Sequence, residues 1–182
     1  MKAFKAYDIR GEWGTDLNEE IAYRIGYFLP DVLDTDTYLV GRDMRLSSPT
    51  LFEALTRGLT DRGKNVDSIG LSTTPLVYWS TAKFGYGASI QITASHNPKH
   101  HNGLKISAAN ALPVGYDTGL NRLEALVESD KTTTPCSKKV KSGRRMSMPS
   151  ISLSNGSLSA TFPTSTSPWT AATACRHYLS TS

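Results

Sequence analysis

A chain of 182 residues with 38% hydrophobic and 9% aromatic side chains is long and apolar enough to build one globular core and to carry a tail. Its formal charge of +4 is unevenly placed: seven of the 20 Lys and Arg and none of the 16 Asp and Glu lie from Lys131 onward, so residues 1–130 hold 13 bases against 16 acids. The basic balance therefore belongs to the tail and gives no argument for nucleic-acid binding by the folded part, and the lack of any apolar run of about 18 residues excludes a membrane-spanning helix.

The opening Met1-Lys2-Ala3-Phe4-Lys5 carries neither the apolar segment nor the cleavage site of a secretory leader. Leu17 to Phe28 places Ile21, Ile25, Phe28 and Leu29 on one helical face, with Asn18 as a cap and Pro30 limiting the end. Thr37 to Val40 reads as a short buried strand. Ser48-Pro49 starts a helix, the cap first and the proline at the first helical position. Leu51, Phe52, Leu55 and Leu59 mark its buried face, and Gly63 follows its end. Val66 to Leu71 is the next strand, and Thr74-Pro75 opens a third helix that runs to Gly85. Ala88 to Thr93 is a strand with Gly103 to Ser107 as its neighbour, and Leu120, Leu123, Leu126 and Val127 give a last helix.

Alternation of this kind predicts an α/β fold, a three-layer α/β/α sandwich with a mixed, largely parallel sheet, over residues 1–129. Such sheets place ligand-binding loops at the carboxyl ends of their strands, which is where the 93–103 loop falls. Past Ser129 the composition changes. Residues 131–182 hold 21 Ser and Thr, no acid and no apolar period, so 130–182 is expected to be disordered or out of frame, with a frame shift near 130 preferred over a natural flexible tail. Cys136 and Cys175 lie in that segment without metal-ligand spacing; a disulfide between them stays open, and a cytoplasmic compartment is the default.

The segment that carries chemistry is Thr93-Ala94-Ser95-His96-Asn97-Pro98. A serine between small residues at a strand-to-loop turn can present its hydroxyl to a ligand, and such a loop can aim backbone N–H groups at an anion. The plainer alternative is a turn in which Ser, His and Asn satisfy loop backbone. Adjacent Ser and His do not make a triad, because neighbours in an extended segment point opposite ways.

Thr93–Pro98 resembles the active-site signature of the α-D-phosphohexomutases, the phosphoglucomutases and phosphomannomutases. Lys99-His100-His101-Asn102-Gly103-Leu104-Lys105 is similar to its continuation, and Phe4-Lys5-Ala6-Tyr7-Asp8-Ile9-Arg10-Gly11 to the family's opening motif. Gly41-Arg42-Asp43-Met44-Arg45-Leu46-Ser47-Ser48-Pro49 and Thr73-Thr74-Pro75 resemble two further blocks, all in order. The bacterial branch of the family is the most similar.

The resemblance implies that Ser95 is the phosphorylated serine and, through its phosphate, a ligand of Mg2+. It implies catalytic roles for Lys105 and Arg10, and substrate contacts for Tyr7, His96 and Asn97. The implied reaction moves a phosphoryl group between C1 and C6 of a glucose or mannose phosphate by way of a hexose 1,6-bisphosphate. Other readings remain for several residues: Arg10 as a structural partner of Asp8, Tyr7 as packing under the loop, Arg42, Asp43 and Arg45 as a structural ion-pair cluster, and His100 and His101 as solvated. The family's Asp-x-Asp-x-Asp run does not occur in this sequence. The chain alone is therefore expected to be inactive as a mutase and to leave an apolar face bare. The alternative function is a stand-alone module that binds a sugar phosphate or a protein; neither nucleic acid nor membrane is an expected partner.

Overall fold

The computed structural model describes residues 1–129 and 131–135 in full, together with the backbone of three short strands beyond them. Contacts divide the chain into two units, Met1–Met146 and Ser147–Ser182. The first unit holds β1 (Ile9–Glu12), α1 (Glu19–Phe28), β2 (Thr37–Arg42), α2 (Ser48–Asp61), β3 (Asn65–Leu71), α3 (Thr74–Phe84), β4 (Ala88–Ile92), β5 (His101–Ala108), α4 (Asn121–Glu128) and β6 (Ser142–Arg145). The second holds an antiparallel pair, β7 (Ser150–Ser154) and β8 (Ser157–Thr161). The other residues of the expected tail, with Cys136 and Cys175, lie outside those described, and so does the choice between a flexible and a mis-framed segment.

One sheet runs in the order β1-β5-β4-β2-β3-β6. β4, β2, β3 and β6 are parallel, and β5 is antiparallel to both of its neighbours, β1 and β4. This is the mixed, largely parallel sheet that the sequence predicts. One face of the sheet presents Ile9, Val40, Ile90, Ile92, Leu104 and Ile106 to a core shared with α1, α2 and α4. The opposite face is partly polar: Ser89 on β4 meets Thr81 of α3 through a hydroxyl–hydroxyl bond of 2.7 Å, and Thr81 also donates to the Val77 carbonyl at 2.6 Å. That bond places α3 on the side of the sheet to which Ser89 and Gln91 both point, since strand residues two apart share a face. Helices on both faces complete the three-layer sandwich.

Local chemistry explains the helix ends. Asn18 caps α1 by accepting from the Ile21 N–H at 2.9 Å, and Glu19 and Glu20 occupy the first turn, where the helix dipole favours acids. α2 begins one residue earlier than the Ser-Pro signal suggests: Ser47 is the cap and Ser48 the first helical residue. The cause is that the buried Ser48 hydroxyl is used elsewhere, donating to Asp43 at 2.5 Å and accepting from Asn102 at 2.9 Å. α1 and α2 cross where Gly26 meets Leu55 and Gly58 meets Tyr23, and a Cβ at either glycine would fall 2.1 Å from the facing carbonyl oxygen. Met44, Leu46 and Leu71 are exposed at the carboxyl ends of β2 and β3. Among the described residues, no helix is long and apolar enough to cross a membrane.

Candidate functional site

The loop that leaves β4 is built by short-range bonds. Thr93 N–H donates to the Gly103 carbonyl at 2.9 Å, and Ala94 is buried beneath the turn. Ser95 N–H donates to the Thr93 hydroxyl at 3.0 Å, and Asn97 N–H closes back on the Ala94 carbonyl at 3.0 Å. Ser95 itself stands at φ 57°, a left-handed conformation that costs a residue with a Cβ about 1–2 kcal/mol. This backbone places an exposed hydroxyl at the tip of the turn. Its approach to His96 Nδ1 is 3.4 Å, too long for a strong bond.

Strand register assembles the rest. Arg10 on β1 faces Gly103 on β5, and Lys105 on β5 faces Gln91 on β4. Arg10, Lys105 and Gln91 therefore lie on the α3 side of the sheet, and Asp8, just before β1, meets Arg10 and Lys105 there. Asp8, only 9% exposed, is the hub: one of its carboxylate oxygens accepts from Arg10 Nη2 at 2.5 Å and from Lys105 Nζ at 3.2 Å. Arg10 Nη1 continues to the Asn97 side-chain oxygen at 2.9 Å, two residues from Ser95, while Arg10 Nε is buried without a partner among the described residues. Gly103 is required here, because a Cβ would lie 2.3 Å from the Ile9 carbonyl oxygen and 3.2 Å from Arg10 Cα.

The far side of the loop is stapled to the β2–α2 connection. Asn102, fully buried, donates to the hydroxyls of Ser47 and Ser48 at 2.8 and 2.9 Å. Asp43 pairs with Arg45 at 3.2 Å, and the Arg45 guanidinium bonds to carbonyls of the Ser95 loop. Arg42 makes no ion pair among the described residues, so the expected three-residue cluster reduces to Asp43 and Arg45.

The residues expected at a site are thus only partly brought together. Arg10, Asn97 and Lys105 form one network with Asp8 beside the Ser95 turn, and His96 is exposed next to it. Tyr7 lies before β1, 84% exposed and near Gly115, and does not pack under the loop. His101 is half-buried in β5, its ring 4.5 Å from that of the exposed His100; the expectation that both are solvated holds for His100 alone. The reason is that β5 starts at His101 rather than Gly103, which draws the ring into the sheet edge. Two residues that the sequence offered only as ion-pair partners do more than that. Asp8 pairs with Arg10 as expected and also holds Lys105. Arg45 pairs with Asp43 as expected, but nothing in the sequence marked its hold on the carbonyls of the Ser95 loop.

The motif order and this geometry converge with a family comparison: the model of phosphoglucomutase/phosphomannomutase, alpha/beta/alpha domain I, matches residues 1–134. The chain belongs to this family. A phosphomannomutase from Klebsiella pneumoniae is 47% identical over 131 residues, 72% of this chain and 83% of that sequence. One from Escherichia coli is also 47% identical over 131 residues, but these make up only 29% of it. A crystal structure of a phosphoglucomutase/phosphomannomutase family protein from Burkholderia thailandensis superposes with a TM-score of 0.64 at 30% identity, covering 77% of this chain and 32% of that one. The matched segment therefore spans less than a third of the longer relatives, and it contains the whole Asp8–Arg10–Ser95–Lys105 constellation.

The donor set of this domain does not by itself fit a magnesium ion. Mg2+ takes six oxygen ligands, and among the described residues no group of three or more His, Cys, Asp and Glu side chains could hold a metal. Asp8 is already occupied by two cations. Ser95 is the oxygen the turn leaves open.

Proposed function

We propose that this chain is the phosphoserine-bearing domain of a phosphohexomutase, with Ser95 as the carrier of the phosphoryl group. The observation that supports this best is an exposed Ser95 hydroxyl on a left-handed turn, with Arg10 bonded to Asn97 two residues along and sharing Asp8 with Lys105. A phosphoryl group on Ser95 would meet charge-assisted donors instead of apolar surface, and phosphoryl transfer depends chiefly on such positioning and charge stabilisation.

The reaction read for the complete enzyme has two halves. The free hydroxyl oxygen of a glucose or mannose monophosphate bonds to phosphorus as the Ser95 Oγ–P bond breaks, and one proton passes from the sugar hydroxyl to Ser95 Oγ. The resulting hexose 1,6-bisphosphate presents its other phosphate, and Ser95 Oγ takes that group back while the sugar oxygen regains the proton. The net change moves the phosphate between C1 and C6. Lys105 is assigned to the charge and proton on the transferring group, Arg10 and Asn97 to holding the phosphoryl oxygens, and His96 and Tyr7 to the sugar side. Magnesium belongs to the reading as a counter-charge on phospho-Ser95, with its remaining ligands supplied from outside the described residues; no step is assigned to it. Mutase turnover by this chain alone is not expected. A cytoplasmic location follows from substrates that, as charged phosphates, do not cross membranes unaided.

Incubation of the purified chain with glucose 1,6-bisphosphate, followed by mass mapping, tests the reading. One phosphate on Ser95 in the native chain and none in Ser95→Ala supports it. Phosphate taken up at another residue, with none on Ser95, refutes it. Conversion of glucose 1-phosphate to glucose 6-phosphate by the chain alone would refute the expected inactivity.

A further inference from the structure

Arg45 is fifty residues from Ser95 in sequence, yet its side chain holds the Ser95 loop by the backbone. Nη2 donates to the carbonyls of Ser95 at 3.0 Å and Asn97 at 2.7 Å. Nη1 donates to those of Pro98 at 2.7 Å and His101 at 3.0 Å. Nε pairs with Asp43 at 3.2 Å, so every nitrogen of the guanidinium is engaged. The four carbonyls bracket the exposed tip of the loop, and one rigid planar group bonded to both of its limbs fixes the distance between them.

The loop needs such a device. Left-handed backbone at a residue with a Cβ persists only where the surroundings over-determine it. Around Ser95 the other backbone constraints are local turn bonds, Ser95 N–H to the Thr93 hydroxyl and Asn97 N–H to the Ala94 carbonyl, and both Ser95 and His96 are exposed. A bond to a carbonyl from a charged donor is stronger than a neutral one, and four from one group act together. Asp43 aims the guanidinium, and Asp43 is itself held by the Ser48 hydroxyl at 2.5 Å at the start of α2. The loop is thereby fixed to a helix start rather than left to its own turn bonds.

We propose that Arg45 is a positioning residue: its guanidinium clamps the 95–101 backbone so that Ser95 stays left-handed and its oxygen faces outward. The consequence for phosphoryl transfer rests on the reading of Ser95 as the phosphoryl carrier; the clamp itself does not. Lysine cannot replace arginine in this role, because a single ammonium has three donors at one point and cannot reach four carbonyls spread along two limbs.

Lys99 gives the direct test, since it is exposed within the clamped segment. The native chain, Arg45→Lys and Arg45→Gln are digested briefly with trypsin, and cleavage after Lys99 is followed by mass spectrometry. The expected result is cleavage about tenfold faster in both variants, with other sites cut at native rates. The amide signals of Ser95 and His96 in 1H–15N spectra should shift towards random-coil positions in both. Phosphate uptake on Ser95 from glucose 1,6-bisphosphate should fall to the same extent in both. Native-like cleavage in Arg45→Gln overturns the proposal, and so does an Arg45→Lys variant that matches the native chain in cleavage and spectra. If Arg45→Gln loses its cooperative thermal transition, Arg45→Lys, which keeps a cation beside Asp43, decides alone. A native chain that takes phosphate at a residue other than Ser95 while the trypsin contrast stands supports the clamp and refutes the phosphoserine reading.

Discussion

Replacing Ser95 by Gly should stabilise the domain while destroying its proposed chemistry. Ser95 is exposed and left-handed, with φ 57°, and its hydroxyl has only a 3.4 Å approach to His96. Removing that hydroxyl in Ser95→Ala keeps the backbone and its cost, so the change in stability should stay within about 0.5 kcal/mol. Ser95→Gly also removes the Cβ, which relieves about 1–2 kcal/mol of left-handed strain. Part of this gain is lost because glycine adds freedom to the unfolded chain, a cost of about 0.5–1 kcal/mol. The net difference between the two variants is then about 1 kcal/mol in favour of Gly. In urea denaturation, with a slope of about 2 kcal/mol/M, this appears as a midpoint about 0.5 M higher for Ser95→Gly than for Ser95→Ala at equal slope. Neither variant should take phosphate from glucose 1,6-bisphosphate. A Ser95→Gly midpoint at or below that of Ser95→Ala would refute the argument, since it would mean that the turn carries no strain for glycine to relieve.

Three other outcomes follow from the packing and the charges. Gly26→Ala puts a Cβ 2.1 Å from the Leu55 carbonyl oxygen and 3.0 Å from its carbon, so α1 and α2 must separate; a loss of about 1–3 kcal/mol is expected in urea denaturation, and an unchanged midpoint would contradict it. Gly103→Ala pushes on the Ile9 carbonyl at 2.3 Å, with a similar loss of about 1–3 kcal/mol and, because β1 carries Arg10, reduced phosphate uptake on Ser95; full uptake at native stability would show that the β1–β5 spacing does not matter. Burial pushes the Glu124 carboxyl up, but bonds from the Met1 amine and the Tyr116 hydroxyl outweigh it, and the net shift is downward from the ordinary 4.5. Its contribution is therefore present above pH 4.5 and is lost as pH falls through the lower folded value. Glu124→Gln should flatten the acid limb of a stability–pH profile, and identical limbs in the two chains would exclude Glu124 as a contributor.

Much of the fold was legible because its signals act over a few residues. Asn18 caps α1 as its side chain predicts, Pro30 follows the helix end, and Gly85 closes α3 in a left-handed conformation. Apolar periodicity marked the faces of α1, α2 and α4 that meet the sheet. The shift of the α2 cap from Ser48 to Ser47 was not legible, because Asp43 and Asn102 claim the Ser48 hydroxyl through tertiary contacts. The early start of β5, and with it the partial burial of His101, depends on pairing with Glu12 of β1.

At the candidate site the division is sharper. The sequence by itself determined the chemistry on offer: a serine in a small-residue turn, Arg10 and Lys105 as cations, and the ordered blocks of the mutase family. Only the tertiary structure decided how these meet. Asp8 joins Lys105 across 97 residues, Arg10 reaches Asn97 across 87, and Arg45 takes the Ser95 carbonyl across 50. Caps, prolines and periodic faces are read within one turn of chain. Strand order, register and the path of a loop backbone are set by which distant segments pair, and a guanidinium that binds carbonyls leaves no mark on the side chains of the loop it holds.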